Sequence, residues 1–228
     1  MNISRESQPS YDQLNRSLKK INSEMDVTPD YKFKIILVGD GTVGKTSIIK
    51  RYIDPDPSIT LDTVKTVGFE FCKINLKLFD EIPIQVHLWD TAGQEVYNNM
   101  LPVYFKKAAG CLCIYDITNK ESFEALDLWL QKLKEHGDDQ IITMVLGNKQ
   151  DIEEERAVSE SEGAAFARDN NAAFFEVSAQ TGHNVGDAIE TLINEIASII
   201  PKPSESYKSS TKPSIPGEDK MCCNCCIF

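Results

Sequence analysis

The stretch Gly39-Asp40-Gly41-Thr42-Val43-Gly44-Lys45-Thr46 decides the fold, because it fits the pattern G-x-x-x-x-G-K-[ST]. It follows an apolar, β-rich run over residues 33–38 and precedes a helix-like run that begins at Ser47. In that context the glycines turn the backbone tightly, and amides at the start of the helix point at phosphate oxygens. The stretch predicts a polyphosphate-binding loop, and the alternative is a glycine-rich turn capped by Thr46. The residues predicted to contact the phosphates are Gly41, Thr42, Val43, Gly44, Lys45, Thr46 and Ser47.

Two side chains of this loop have specific expected roles. Lys45 can reach the β- and γ-phosphates, and the Thr46 hydroxyl can ligate Mg²⁺. The predicted cofactor is therefore Mg²⁺.

A second polar segment, Asn148-Lys149-Gln150-Asp151, predicts which base is bound. It follows another buried-strand run, residues 141–146, and Asp151 can accept hydrogen bonds from the N1–H and the exocyclic amine of guanine. Adenine offers no such pair of donors, and a site built on a polar pair rejects an analogue that leaves it unpaired by roughly 10⁴-fold. The segment predicts a guanine nucleotide, although Asn, Lys and Asp also occur in solvated turns.

A third segment, Trp89-Asp90-Thr91-Ala92-Gly93-Gln94-Glu95, follows an alternating strand over residues 84–88. With the two motifs above and the later pair Ser178-Ala179, it makes residues 31–200 resemble a small GTPase of the Ras superfamily. The resemblance implies that Asp90 binds Mg²⁺ through water, that the Gly93 amide contacts the γ-phosphate, and that Gln94 orients the attacking water. Gln94, Gly93 and Lys45 are then the expected catalytic residues. Ser178 and Ala179 would face the guanine edge.

Within the superfamily the chain most resembles the Rab family. Thr66-Val67-Gly68-Phe69-Glu70-Phe71 is similar to the Rab switch I, where Thr66 would ligate Mg²⁺ and touch the γ-phosphate. Trp129-Leu130 is a second Rab-like signal. Three aromatic residues match the trio with which Rab proteins bind effectors: Phe71, Trp89 and Tyr104, called the aromatic trio below. The alternative for these rings is ordinary core, where aromatic residues are common.

Two departures keep a second family open. Rab loops usually carry Ser then Gly where this chain has Gly41-Thr42, an order closer to Rho and Ran proteins. The second switch lacks the basic residue that usually follows Glu95. There is no room for a Rho insert helix between Asp151 and Ser178. A Rab-like protein is therefore the first hypothesis, and an atypical Rho- or Ras-like signalling GTPase is the second.

The chain ends Cys222-Cys223-Asn224-Cys225-Cys226-Ile227-Phe228. Cys225 is fourth from the end with Phe last, which predicts prenylation, and the pair Cys225-Cys226 resembles the doubly modified end of Rab proteins. Two lipid chains would give a stable anchor, whereas one gives reversible binding. The alternative is a metal clip through the C-x-x-C spacing, but no second pair of ligands lies nearby.

Length and periodicity agree with one α/β domain. Six strand-like runs alternate with helical runs, which predicts a P-loop G domain with a doubly wound, mostly parallel six-stranded sheet and helices on both faces. The expected organisation is a disordered extension over residues 1–30, the G domain over 31–200, and a flexible tail with the prenylation motif over 201–228. The predicted helices span 45–52, 123–136, 159–170 and 185–199.

The formal charge of −11 argues against nucleic-acid binding. The expected partners are GTP and GDP, an exchange factor, a GTPase-activating protein, effectors and, through the lipid, a membrane. A monomer on the cytoplasmic face of endomembranes that exchanges with the cytosol is expected. The first function is slow GTP hydrolysis used as a molecular switch in membrane trafficking. The second is a scaffold that holds GTP with little turnover, and Gln94 favours the first.

Overall fold

One seven-stranded sheet organises the chain. The computed structural model describes residues 18–20 (backbone), 29–56, 69–78, 82–91 and 101–199. The strands are β1 Leu18–Lys20, β2 Tyr31–Val38, β3 Phe69–Leu78, β4 Ile82–Thr91, β5 Gly110–Asp116, β6 Ile142–Asn148 and β7 Ala173–Glu176. Their order in the sheet is β1-β3-β4-β2-β5-β6-β7.

The pairing direction places several strand ends at one edge. β4, β2, β5, β6 and β7 run parallel to one another, whereas β3 is antiparallel to both β4 and β1. The carboxyl ends of β2, β4, β5, β6 and β7 therefore meet at the same edge of the sheet. In open α/β sheets a ligand binds in the crevice outside these ends. We call this region the nucleotide edge.

The helices are α1 Lys45–Ile53, α2 Leu101–Phe105, α3 Lys120–Glu124, α4 Leu126–His136, α5 Glu160–Asp169 and α6 Val185–Ser198, with a short 3₁₀ turn over Glu153–Glu155. The start of α5 is explained by a capping box, in which Ser159 and Glu162 each accept from the other's backbone amide. Gly44 precedes α1 with φ 97°, so α1 starts directly out of the phosphate loop.

Two apolar cores lie on the two faces of the sheet, and successive side chains of β2 point alternately into one core and the other. Ile35 and Leu37 pack with α1 and α6, whereas Ile36 and Val38 pack with α2, α4 and α5. Every residue of β5 is buried, as expected for a central parallel strand that is covered on both faces.

All six predicted strands are present, and the predicted fold class is confirmed. The structure adds a seventh strand, because Leu18–Lys20 pairs antiparallel with residues 76–78 of β3. From the sequence, these residues belong to the extension over residues 1–30, which is expected to be disordered. The predicted helix 123–136 is two helices divided at Ala125, and α2 was not predicted. No helix among the described residues has the length and apolarity needed to cross a bilayer.

Candidate functional site

The phosphate loop connects β2 to α1 at the nucleotide edge, and its backbone leaves little room for side chains. Gly39 has φ 139°, and a Cβ there would lie 2.1 Å from the carbonyl oxygen of Ile114. A Cβ on Gly44 would lie 2.3 Å from Nδ2 of Asn148. Only glycine fits at either position. Gly41 and Thr42 are exposed at the tip, and Val43 is buried beneath it.

Thr42 is the departure from the Rab pattern, and it adopts a left-handed backbone with φ 68°. A β-branched residue is strained in this region, where the family resemblance leads us to expect glycine. The loop therefore holds strain at its exposed tip.

Lys45 lies inside the loop and is 4% exposed. Its ammonium donates to the carbonyl oxygens of Gly39 at 2.8 Å and Asp40 at 2.7 Å. Burial lowers the pKa of Lys45 from 10.5 to about 8, and the negative charges of Asp90 and Asp40 oppose this shift. A buried cation at the mouth of the loop is suited to a phosphate oxygen.

Thr46 and Asp90 come from different elements and meet beside Lys45. Thr46 is the second residue of α1 and Asp90 is near the end of β4, and the Thr46 hydroxyl donates to the Asp90 carboxylate. Asp90 is 2% exposed. Hydroxyl and carboxylate oxygens are the ligands that Mg²⁺ prefers, so this pair fits that ion. Within the described part of the chain, no group of three or more His, Cys, Asp or Glu side chains could hold a metal ion.

Asn148 ties the phosphate loop to the loop that follows β7. Its Nδ2 donates to the Val43 carbonyl at 2.8 Å, and its Oδ1 accepts from the Ala179 amide at 3.1 Å. The side chain is 1% exposed. A primary amide is the side chain that can donate to one loop and accept from another at once. Asn148 thus connects the two loops from a buried position.

The remaining predicted guanine contacts surround Asn148. The Ser178 hydroxyl donates to the Asp151 carboxylate and accepts from the Thr181 amide at 3.0 Å. Ser178 is completely buried, whereas Asp151 is exposed, so the carboxylate is fixed yet accessible. Lys149 lies 2.5 Å from Asp116 as an ion pair. The structure therefore gathers Asn148, Lys149, Asp151, Ser178 and Ala179 at one place.

Arg51 is a residue of this region that the sequence analysis missed. It is 2% exposed and donates to the carbonyl oxygens of Ala179 at 2.8 Å, Gln180 at 2.9 Å, and Asp56. Arg51 thus links the end of α1 to the loop that follows β7, through Ala179 and Gln180. It also bonds to Asp56, in the segment directly after α1. Its signal was a charge on an apolar helix face, since Ile48 lies three residues before it.

A second missed contact supports the phosphate loop from the opposite side. Trp129 of α4 is 6% exposed, and its indole N–H donates to the Asp40 carboxylate at 2.9 Å. We had used Trp129 only as a mark of resemblance. The loop is therefore held by β6 through Asn148 and by α4 through Trp129.

The aromatic trio is brought together at the end of β4. The rings of Phe71 and Trp89 stack at 5.0 Å, and Trp89 meets Tyr104 edge to face at 6.4 Å. The Tyr104 hydroxyl donates to the Trp89 carbonyl at 2.5 Å and accepts from the Leu37 amide at 3.2 Å. Tyr104 is 4% exposed, whereas Phe71 is 51% exposed. The trio is core at one end and open surface at the other.

Several predicted residues lie outside the described ranges. These are Thr66, Gly93, Gln94, Cys225 and Cys226. A separate cavity of about 760 Å³ lies at the opposite edge of the sheet, between Gly137, Ile142 and Glu195, and none of the predicted site residues lines it. We therefore assign the candidate site to the loops at the nucleotide edge.

Known proteins resemble this chain over the same region. The model of the Ras family matches residues 34–198. The "GTP-binding protein ypt3" of Schizosaccharomyces pombe is 41% identical over 171 residues, which cover 75% of this chain and 78% of that protein. The "Ras-related protein RGP2" of Oryza sativa is 37% identical over 86% of this chain and 89% of its own length. The "Ras-related protein Rab11C" of Lotus japonicus is 36% identical, with 83% and 87% covered.

Proposed function

Because this chain belongs to the Ras family of small GTPases and is Rab-like, we propose that it is a membrane-anchored, GTP-dependent switch in vesicle trafficking. In this proposal GTP orders the two segments that contain Thr66 and Gly93, effectors bind the ordered form, and hydrolysis releases them. As a small GTPase the chain is a hydrolase of GTP.

The observation that carries the proposal is the convergence of Lys45, Thr46, Asn148 and Asp151 at one edge of the sheet. Lys45 would bind the β- and γ-phosphates, and Asp151 would accept from the guanine N1–H and amine. Ser178 supports that role, since its hydroxyl holds one carboxylate oxygen of Asp151 in place.

The contact between the Thr46 hydroxyl and the Asp90 carboxylate supports Mg²⁺ as the cofactor. Thr46 and Thr66 would ligate the ion, and Asp90 would hold its water. The bound ion would neutralise charge on the phosphate oxygens. Gly93 would donate its amide to the γ-phosphate and Gln94 would orient the attacking water.

Hydrolysis by the chain alone should be slow, on the order of 10⁻⁴ to 10⁻² s⁻¹, because the switches offer no basic residue suited to stabilise the transition state. A GTPase-activating protein would supply an arginine, an exchange factor would release GDP, and effectors would bind the aromatic trio. Lipids on Cys225 and Cys226 would anchor the chain, as a monomer, to the cytoplasmic face of endomembranes, from which it would exchange with the cytosol.

The test is single-turnover GTP hydrolysis and nucleotide affinity in matched variants. Gln94→Leu should retain GTP binding and lose most of the turnover, above all the turnover stimulated by cell extract. Thr46→Asn should come to favour GDP over GTP at fixed free Mg²⁺, while the control Thr46→Ser, which keeps the hydroxyl, should not. Equal hydrolysis in wild type and Gln94→Leu, with and without extract, would contradict the switch and favour a scaffold that only holds GTP.

A further inference from the structure

A row of basic side chains continues from the aromatic trio along one face of the sheet. In the register of β3, β4 and β2, Lys73 pairs with His87 and His87 with Lys34, and the next row on this face contains Lys32. Side chains two residues apart in a strand share a face, so these groups lie on the same face as Phe71 and Trp89. We call Lys32, Lys34, Lys73, Lys77 and His87 the basic sheet face.

The basic sheet face borders the rings directly. The Lys34 ammonium lies 4.7 Å from the ring centre of Trp89, and the Lys73 ammonium lies 5.7 Å from that of Phe71. The ring of His87 is 6.0 Å from that of Phe71. Lys32 and Lys73 are exposed to solvent, as is Phe71. If an apolar side chain of a binding partner packed on these rings, the adjacent residues of that partner would therefore lie beside cations.

The four lysines of this face have few acidic neighbours among the described residues. Lys34 is held by the carbonyl oxygens of Val103 and Lys106, at 3.5 and 3.0 Å. Across the ranges that the structure describes, none of the four lysines forms an ion pair with Asp or Glu. Among the described residues, the charge of Asp138 acts on Lys34, whereas no carboxylate pairs with Lys32, Lys73 or Lys77, in a chain whose formal net charge is −11.

We propose that the aromatic trio and the basic sheet face together dock an acidic segment of a partner protein, with an apolar side chain on Phe71 and carboxylates against Lys73 and Lys32. The proposal rests on the switch function above, because it specifies the chemistry of the effector that the trio binds. Rows on a strand are about 7 Å apart, so the carboxylate against Lys73 must lie one helical turn, or two residues of a strand, from the anchor. Lys32 lies two rows and two strands from Phe71, roughly 17 Å away, so a carboxylate there must come from a more distant part of the same segment.

A shaped protein partner fits better than a lipid surface. Membrane-binding basic clusters hold four to eight cations that reach the headgroups together, whereas here Lys34 is folded back onto backbone carbonyls. A half-exposed ring beside solvent-exposed cations matches an anchor residue with acidic neighbours.

The test uses the full chain loaded with a non-hydrolysable GTP analogue and a phage library of random peptides. Peptides selected on wild type should combine an aromatic or aliphatic residue with Asp or Glu one turn or two residues away. Their affinity is then measured by fluorescence polarisation for wild type, for Lys32→Glu/Lys73→Glu, and for the control Lys134→Glu. Lys134 is exposed on α4 near the start of β6, four strands and roughly 19 Å from β3.

The double variant should bind the selected peptides at least about tenfold more weakly, and the control should stay within about twofold of wild type. Selected peptides without acidic residues, or equal affinity in both variants, would overturn the proposal. The proposal would also be overturned if the wild type binds phosphatidylserine vesicles but no peptide, and if the double variant loses this vesicle binding. Peptides that bind the GDP form equally well and still depend on Lys32 and Lys73 would support the docking chemistry while the switch role fails.

Discussion

The aromatic trio and the basic sheet face together form one surface, called the aromatic face below. The nucleotide edge and the aromatic face share β2 and β4, yet polar groups are buried at the first and exposed at the second. At the nucleotide edge Lys45, Asn148 and Ser178 are almost fully buried, and each bonds to a neighbouring loop. At the aromatic face Phe71 is half exposed and Lys73 stands in solvent. A small ligand needs a cradle that is shaped before it arrives, whereas a macromolecular partner can meet groups that water covers until it binds.

The strongest test of the nucleotide edge is Asp151→Asn, which exchanges an acceptor for a donor. The variant should lose roughly 10⁴-fold of its affinity for GTP and should bind xanthosine triphosphate, whose base offers the matching groups. Equilibrium binding of both nucleotides measures this, with the exposed Asp169→Asn as control. If the variant fails to bind xanthosine triphosphate, Asp151 does not make the assigned contact.

Arg51→Met tests whether buried bonds hold this edge together. The variant keeps much of the apolar volume and leaves the Ala179 and Gln180 carbonyls without their donor, which should cost about 2–4 kcal/mol of unfolding free energy. Release of GDP should speed up by about tenfold, because the loop that follows β7, called the guanine loop below, loses its tie to α1. Denaturant unfolding and fluorescent-nucleotide release measure these effects. Lys50→Met, on an exposed neighbour, should change neither, and an unaltered release rate in Arg51→Met would remove its positioning role.

Thr42→Gly probes the strain at the tip of the phosphate loop. Relief of the left-handed threonine should stabilise the GDP-bound chain by about 1 kcal/mol, after the greater flexibility of glycine in the unfolded chain is subtracted. Thr181→Gly, at a loop residue without a positive φ, should lose stability instead. Denaturant midpoints compare the two, and a less stable Thr42→Gly would show that the loop is not strained there.

The aromatic face should tolerate change where it is open and resist it where it is closed. Phe71→Ala should alter the unfolding free energy by less than about 1 kcal/mol, since half of the ring already faces water. Tyr104→Phe should cost about 1–3 kcal/mol, because the Leu37 amide and the Trp89 carbonyl lose their buried partner. Thermal unfolding of both variants decides this, and a larger loss in Phe71→Ala would make the trio ordinary core.

The smallest expected effect is a pH dependence at Lys34. Burial lowers the pKa of Lys34 from 10.5 to about 8, and the charge of Asp138 opposes the shift. Between about pH 8 and 10.5 the unfolded chain therefore binds more protons at this residue, so stability should rise with pH there. Relative to Lys34→Met, the wild type should gain stability from pH 8 to pH 10. The measurement is the unfolding free energy of both proteins at pH 8 and pH 10. A difference between wild type and Lys34→Met that is the same at the two pH values would contradict this prediction.

The sequence predicted the parts that depend on local pattern. The six main strands, the phosphate loop and the segment 148–151 each carry a periodicity or a motif within about ten residues, and the structure places all of them as expected. The likeness to Rab proteins is confirmed by the curated relatives. The roles of the individual site residues stay predictions.

What the sequence did not predict depends on distant pairing. Leu18–Lys20 becomes a strand only because β3 offers an unpaired edge. Two of the three acceptors of Arg51 are carbonyl oxygens 128 and 129 residues away, which no local pattern records. The indole of Trp129 finds Asp40 across 89 residues. Helix propensity likewise placed one helix over 123–136, whereas the chain divides at Ala125.

The two hydrogen bonds of Asn148 make the phosphate loop and the guanine loop one mechanical unit, and the nucleotide then behaves as a bivalent ligand. When one half of such a ligand is bound, the other half is held at high effective concentration near its own subsite. The residence time of GDP should then far exceed that of either half alone. Guanosine and pyrophosphate added as separate molecules should each dissociate quickly, whereas GDP should stay bound. One way for a protein to accelerate exchange is to separate the two loops at this amide, after which each half of the nucleotide would dissociate with its own weak affinity.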